Sequence, residues 1–430
     1  MRSINSRHAV GCQRLALAVC LLLCSLGCGK REATPPPSSA LSKPRPRAAN
    51  LSVLVVGDGV VAEALGRLRG EWAERAGAEL RVEQASLAEL LESETLPADV
   101  LIYPPSATGA LHGRGWLRPV RDSVLDDDDF DYGDLLPAVR PAMVFDGQTV
   151  AVPLGLPPLM RLNGTAVKSG ATDPTALAHE LIARALALLP ERRTDALLFD
   201  PDSMRPRLTT PVMERALGNL AAELRPPGGT ANDLPTWQLG WPALWGEPPE
   251  GVPAAESLQR KPQVYDEVTD KWRSTTSRGP VTLLGYRGRV ASVSADSRNA
   301  TSAFRLLGWM ASGDAAAQLS SSSDETLFFR RSQIEQANLW PGVSAWPGAA
   351  EAAAESLLVE RPLLLPRIAG WDEYAAALGE AVLAAAAGDA QPAESLRVAA
   401  QRWEAITERL GRQTQAEQYR AHLETEPRRR

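Results

Sequence analysis

The hydrophobic pattern at the start of the globular part alternates between strands and helices. Leu51–Val56 is a short apolar run closed by Gly57-Asp58-Gly59, which is typical of a buried strand followed by a turn. Residues 61–76 have the spacing of an amphipathic helix. The elements predicted next are a strand at 79–82, a short helix at 87–91 and a strand at 99–103. This alternation predicts βαβ units and a mostly parallel sheet.

Two prolines interrupt the later part of the pattern. Pro153 breaks a strand at 150–156, and Pro280 stands directly before strand-like residues at 281–294. The predicted helices are 175–189, 211–224, 299–312 and most of the alanine-rich last third. These paired breaks predict two α/β lobes that are discontinuous in sequence. The predicted division is lobe one at 51–153 plus 281–330, lobe two at 155–279 plus 331–411, and a polar tail at 412–430.

The N-terminal segment that ends at Cys28 has the three parts of an export signal. Three arginines and no acid precede an apolar run at Leu15–Leu26, which is shorter than the roughly 20 residues needed to span a bilayer. The run ends at Ser25-Leu26-Gly27-Cys28, which resembles the bacterial lipobox, and this resemblance implies that Cys28 is lipidated and becomes the first mature residue. The alternatives are an ordinary cleaved signal or an uncleaved anchor. Residues 29–50, rich in Pro and Ser, are predicted to be an extended tether.

Composition narrows the function classes further. All four cysteines lie at or before Cys28, so the mature chain carries only the cysteine that is acylated and has no other thiol for a disulfide or a thiolate metal site. Removing the leader takes away three arginines and no acid, which changes the net charge from −6 to −9. An acidic chain without a basic stripe is a poor candidate for nucleic-acid binding. The mature chain is also longer than one hydrophobic core usually holds, which agrees with two lobes.

Recognisable enzyme and metal chemistry is absent from the sequence. The three mature histidines, His112, His179 and His422, are widely separated, and no Gly-X-Ser-X-Gly elbow or phosphate-binding loop occurs. The acidic run at Asp126–Asp129 lacks the glycine and late glutamate of a calcium loop, so we interpret it as a solvated loop. We therefore predict no catalytic residues, no metal and no cofactor. Paired carboxylates of a secreted glycosidase stay open as a third function class.

Segments in a fixed order resemble the extracellular solute-binding proteins of bacterial ABC transporters, in the carbohydrate-binding group that includes maltose-binding protein. They cover about three quarters of the mature chain. The similar segments are Leu96–Val120 (LPADVLIYPPSATGALHGRGWLRPV), Phe145–Leu156 (FDGQTVAVPLGL), Gly288–Ser312 (GRVASVSADSRNATSAFRLLGWMAS) and Leu365–Ile406, with its "AESL" helix start. The chain departs from the family where Met160–Asn163 replaces a Tyr-Asn pair and where Pro157 stands in place of a glutamate or glutamine.

The resemblance implies a two-lobed periplasmic-binding-protein fold of type II, with a hinge and a central cleft. It implies a monomer that captures a small solute, most simply a carbohydrate, and delivers it to an ABC permease. Hinge closure would occur near Val152–Leu156, Pro280–Leu284 and Phe328–Ser332. The alternative is a degenerate member of the fold with a structural or sensory role at the envelope and no transported solute.

Candidate ligand-binding residues follow from this resemblance and from the chemistry of sugar binding. Sugars need flat aromatic faces under their apolar side and polar groups on their hydroxyls. The candidates are Tyr103, Ser106, Trp241, Trp245, Tyr286, Arg289 and Trp371. The alternative for each is packing in the core. Trp72, Trp309 and Trp403 lie on helical apolar stripes, and we assign them to the core.

We predict that Cys28 anchors the protein to the membrane. Changing Cys28→Ser removes the thiol that is acylated, so the mutant should leave the membrane fraction while the wild type stays in it. Cell fractionation followed by immunoblotting measures this. A mutant that stays in the membrane fraction as the wild type does contradicts the lipid anchor.

Overall fold

A computed structural model describes residues 49–163, 173–190, 197–224, 237–240, 248, 250–251 and 254–426. Cys28, the tether up to residue 48, Trp241 and Trp245 lie outside the described residues. Within those ranges, no helix is both long and apolar enough to cross a bilayer.

The strands are mostly short. They are β1 Leu51–Val56, β2 Leu80–Ala85, β3 Val100–Tyr103, β4 Leu117–Arg118, β5 Val144–Phe145, β6 Gln148–Thr149, β7 Val152–Pro153, β8 Met160–Asn163, β9 Trp237–Gly240, β10 Glu256–Ser257, β11 Gln263–Asp266, β12 Lys271–Ser274, β13 Leu283–Leu284, β14 Val290–Ser294 and β15 Leu363–Leu364.

The longest helices are in the last third of the chain. In order, the helices are α1 Gly59–Arg67, α2 Arg69–Ala76, α3 Leu87–Glu92, α4 Thr108–Gly113, α5 Asp122–Leu125, α6 Pro174–Ala187, α7 Pro211–Leu224, α8 Ala300–Met310, α9 Gly313–Ser322, α10 Arg331–Ile334, α11 Pro341–Ser344, α12 Ala349–Leu357, α13 Trp371–Ala387, α14 Pro392–Leu410 and α15 Arg412–Leu423. Short 3₁₀ helices include Pro105–Ala107, Tyr132–Asp134, Pro137–Met143 and Ala337–Leu339.

The main sheet has the strand order β2-β1-β3-β14-β4, and β7 also pairs with β14. β1 runs parallel to β2 and β3, whereas β14 runs antiparallel to β3, β4 and β7. Among the described strands of this sheet, β14 alone opposes the common direction, so the prediction of a mostly parallel sheet is confirmed. All five residues of β14 are buried, as expected for a strand with neighbours on both edges and cover on both faces.

The buried apolar residues form two clusters. The first contains the main sheet and the helices on it, and the second contains α6, α7, α13 and α14. β13 and β15 pair in parallel between the clusters, and successive residues there belong to different clusters: Leu283 and Leu365 to the second, Leu284 and Leu364 to the first. Adjacent side chains of an extended chain point to opposite sides, which explains how these segments join both clusters. The exact lobe boundaries stay a prediction.

The third predicted hinge, Phe328–Ser332, is misplaced. Phe328 and Phe329 are fully buried in the first cluster. Arg330 is also buried there, where its guanidinium donates to the carbonyls of Ala311 and Phe130 at 2.6 and 2.7 Å. This segment is fixed within the first cluster, and the third connection between the clusters lies at Leu364–Leu365 instead. Buried residues from Trp340 to Leu357, a range predicted for lobe two, also contribute to the first cluster.

The end of the chain corrects a second prediction. Residues 412–423, expected to belong to a polar tail, form helix α15. Gln415 and Ala416 lie one turn before Tyr419, which lies one turn before His422, so the four share its buried face. The ring of Tyr419 packs edge-on against Phe199, 5.3 Å away.

The three tryptophans assigned to the core are confirmed as buried. Trp72 and Trp309 pack together with ring centroids 5.4 Å apart, and Trp403 stacks on Phe199 at 4.7 Å. The strand predicted at 281–294 is divided into β13 and β14, because Gly285 and Gly288 between them have φ values of +92° and +111°.

We predict that Gly379→Ala strongly destabilises the fold. A Cβ at this position of α13 would lie 1.7 Å from the carbonyl oxygen of Pro174 at the start of α6. Moving two packed helices apart should cost about 3 kcal/mol of unfolding free energy. Gly66→Ala is the matched control, because a Cβ on α1 meets nothing within 4 Å and should raise stability by up to about 1 kcal/mol. Urea unfolding of both variants measures the difference; equal stabilities contradict the close helix contact.

Candidate functional site

The main sheet defines one edge where a ligand could bind. In open α/β sheets, ligands bind outside the carboxyl ends of the parallel strands. At this edge β1 is followed by Gly57 and Asp58, and β3 is followed by residues 104–106. Because β14 runs the other way, Arg289 just before it reaches the same edge. The fold therefore brings three of the candidate residues, Tyr103, Ser106 and Arg289, to one end of the sheet.

Asp58 is the centre of a buried ionic cluster at the end of β1. One carboxylate oxygen accepts from the backbone N–H of Val61, 3.1 Å away, and so caps α1. The other accepts from the hydroxyl of Ser323 at 2.8 Å and lies 3.1 Å from a guanidinium nitrogen of Arg289. Asp58 is 7% exposed, so this ion pair is shielded from water.

The guanidinium of Arg289 is bound by neighbouring groups of the protein. Its terminal nitrogens donate to the carbonyls of Gly288 and Gly57 at 2.8 and 3.2 Å, and Glu325 lies 3.8 Å away. Glu325 is itself paired with Arg287. Burial lowers the pKa of Arg289, and the carboxylates of Asp58 and Glu325 oppose that shift. Of the polar atoms of Arg289, Nε is the one that is buried and has no hydrogen-bond partner among the described residues. A contact from Arg289 to a solute stays a prediction.

Tyr103 is fully buried at the end of β3. Its hydroxyl lies 2.8 Å from the Oγ of Ser292 on β14, and that Oγ donates to the carbonyl of Val150 at 2.7 Å. Since a serine has one hydroxyl proton, Tyr103 is the donor to Ser292. Burial raises the pKa of Tyr103 to about 12. The ring acts here as core, so its proposed stacking on a solute would require a change of conformation.

Tyr286 lies between the two clusters and packs against both. Its hydroxyl donates to the carbonyl of Pro158 at 3.3 Å, and its ring centroid lies 5.8 Å from that of His179. Burial, followed by the charge of Arg287, lowers the pKa of His179 to about 3, so this histidine is neutral at pH 7. Tyr286 thus joins two of the segments that connect the clusters.

A recess of about 80 Å³ brings Ser106 and Trp371 together. One side is formed by Leu87 and Leu91 of α3 and by Ala110 of α4, and the other by residues 368–372 at the start of α13. The lining is mainly apolar, with the hydroxyl of Ser106 and the carboxylate of Asp372 as its charged or hydroxyl groups. Apolar walls with a few convergent polar groups are typical of small-molecule sites.

Trp371 lines this recess but is only 3% exposed. Its ring stacks on Tyr374 at 6.4 Å and meets the edge of Trp403 at 6.0 Å. The indole Nε1 is buried without a partner among the described residues. This environment favours the alternative that Trp371 is a core residue whose edge borders the recess.

Asp58, Ser323 and Glu325 were missed by the sequence analysis. Asp58 stands directly before α1 and three residues before the helix predicted at 61–76, and aspartate is a preferred N-cap residue, so this signal could have marked it. Nothing local marks Ser323 and Glu325, since their partners come from distant parts of the chain.

The fold is a periplasmic-binding-protein fold of type II, as a comparison with solved structures shows. Similar structures include the cyclic α-maltosyl-1,6-maltose binding protein from Arthrobacter globiformis (TM-score 0.59, 16% identity, 84% of this chain and 100% of that chain). The sugar-binding protein MalE from Xanthomonas citri has a TM-score of 0.59 at 15% identity, covering 84% and 98%. An ABC transporter solute-binding protein from Agrobacterium vitis with bound D-mannitol has 0.51 at 16%, covering 85% and 99%. No protein-family model and no curated protein matches the chain.

We predict that Trp371→Ala destabilises the protein. Removing a buried ring from the cluster with Tyr374 and Trp403 should cost about 3–5 kcal/mol of unfolding free energy. Trp272→Ala is the matched control, because Trp272 is half-buried on the β11–β12 hairpin and packs mainly on Arg215 and Tyr265. Thermal unfolding of both variants measures this. If Trp371→Ala costs no more stability than Trp272→Ala, the ring is not part of the core.

Proposed function

We propose that this protein is a lipid-anchored, extracytoplasmic solute-binding protein that captures a small carbohydrate or polyol and delivers it to an ABC permease. The observation that carries the proposal is the recess between α3, α4 and the start of α13, which lies between elements of both clusters. In this proposal the protein binds without catalysing a reaction.

The chemistry of the recess fits a compact solute that carries hydroxyl groups. Ser106 offers one hydroxyl and Asp372 one carboxylate, while leucine, alanine and tryptophan side chains offer apolar contact. Since one water needs a cavity of roughly 10–15 Å³, a recess of about 80 Å³ has room for several water-sized groups. Solved structures of the same fold contain ribitol and D-mannitol, both of which are polyols.

Hinge closure is supported by the backbone between the clusters. Gly155 has φ +121° and Gly288 has φ +111°, backbone conformations that residues with a side chain rarely adopt. A Cβ on Gly288 would lie 2.6 Å from the carbonyl oxygen of Gly155, so the two connecting segments touch through backbone alone. Residues without side chains leave room for two such segments to change their dihedral angles together.

The anchor and the location rest on the sequence. Cys28 after the apolar run would carry the lipid, and residues 29–50 would hold a monomeric body away from the membrane. A single lipid chain gives only reversible attachment, so further acylation of the same cysteine would be needed for a stable anchor.

A second candidate function is a structural or sensory role at the envelope without a transported solute. The ionic cluster of Asp58, Arg289 and Glu325 favours it. Open α/β sheets usually bind ligands at the carboxyl ends of their strands. At the end of β1 the charged groups instead form ion pairs with one another.

We predict that Ala110→Trp abolishes solute binding. Ala110 lines the recess, and an indole there would occupy most of its volume. Isothermal titration calorimetry of the wild type with ribitol, D-mannitol and maltose first identifies a solute that binds, and the variant should then lose at least tenfold in affinity. Ala393→Trp, at an exposed position of α14, is the control and should bind as the wild type does. If no sugar or polyol binds the wild type, the envelope role becomes the better account.

A further inference from the structure

Helix α15 begins as part of the second cluster. Tyr419 packs on Phe199, and Gln415 accepts a hydrogen bond from the hydroxyl of Tyr374 at 3.5 Å. The side-chain amide of Gln415 also donates to the carbonyl of Ala369 at 3.3 Å. The first turns of α15 are therefore fixed against α13 and the segment before it.

The other end of α15 is bound to the first cluster. The hairpin of β5 and β6 turns at Asp146 and Gly147, and the backbone N–H of Asp146 donates to the carbonyl of Ala421 at 2.9 Å. The N–H of Gly147 donates to the carbonyl of Glu424 at 3.3 Å. The last carbonyls of a helix have no partner within the helix, and here a hairpin from the other cluster supplies one N–H donor to the last turn of α15 and one to the residue directly after it.

Arg367 adds a side-chain link at the same place. It is 1% exposed, and its guanidinium donates to the Nδ1 and the carbonyl oxygen of His422 at 3.1 and 3.2 Å. A third donor reaches the carbonyl of Ala142 at 3.2 Å, within the 3₁₀ helix Pro137–Met143 of the first cluster. The guanidinium also lies 5.1 Å from the ring centroid of Phe145 on β5. One cation thus binds the end of α15 and the first cluster together.

α15 runs beside the recess. Gln418 accepts a hydrogen bond from the N–H of Ala369 at 2.8 Å, and its amide lies against Gly113 of α4. Ala369 and Ala110, near these two contacts, line opposite sides of the recess. A helix fixed at both sides of a cavity restrains any movement that widens it.

We propose that α15 is a strap that holds the two clusters together beside the recess and sets how far the recess opens. This inference goes beyond solute capture, because it concerns the protein without solute. The strap is fixed to the second cluster by Gln415 and Tyr419, and to the first by the Asp146-Gly147 turn and Arg367. When the attachment of α15 to the first cluster is released, the two sides of the recess are free to move apart.

The test measures the separation of the two sides without any solute. Spin labels are placed on cysteines introduced at two exposed positions, Glu92 at the end of α3 and Asp389 after α13, in the mature chain with Cys28→Ser. Pulsed electron–electron resonance then gives the distance distribution. Arg367→Met removes the charged link, and Arg361→Met, at an exposed position outside these contacts, is its matched control.

We expect a single distance between the two spin labels in the labelled protein without further change and in Arg361→Met. In Arg367→Met we expect a second, longer distance. Losing hydrogen bonds from a charged donor should raise the open population roughly tenfold or more. Should Arg367→Met fail to fold, Gln418→Ala decides, with Gln413→Ala as control because Gln413 is exposed and its amide donates to Glu417 within α15. Unchanged distributions in the folded strap variants overturn the proposal. The result is independent of whether a sugar binds, so it does not depend on the calorimetry.

Discussion

The structure depends on the insertion of β14 between β3 on one edge and β4 and β7 on the other. The main sheet is incomplete until Val290–Ser294 have been added, because they supply the partner for three other strands. The chain must therefore leave the sheet after β7, at Pro153, and return to it only at Val290. The residues between form much of the second cluster, and the two-cluster architecture follows from this single strand.

The same constraint positions the candidate site. Because β14 runs against the parallel strands, its first residue lies at their carboxyl ends, and Arg289 is brought to Asp58. The Oγ of Ser292, further along β14, accepts a hydrogen bond from the hydroxyl of Tyr103. The buried ion pair and the buried tyrosine make this end of the sheet a packed joint between connecting segments. The recess lined by Ser106 and Trp371 begins at the residues that follow β3.

Local patterns in the sequence predicted the elements well where burial is periodic. β1 and α7 have the predicted bounds, and α6 and α8 differ from theirs by one or two residues at each end. The pairing of β13 with β15 could not be predicted, because both strands are very short and α8 to α12 lie between them in the sequence. Arg289 and Trp371 have side chains suited to a solute, but distant partners, Asp58 and Trp403, satisfy or bury them. Residue type indicates what a side chain can bind, whereas long-range packing decides what it does bind.

Hydrogen–deuterium exchange with and without a sugar or polyol tests whether a solute binds between the two clusters. A bound solute should slow exchange of backbone amides at residues 105–110 and 368–372, which form two sides of the recess. The connecting segments near Gly155 and Gly288 should also change, because closure alters their backbone. Slower exchange confined to other parts of the chain, with the recess unchanged, would contradict a solute site between the two clusters.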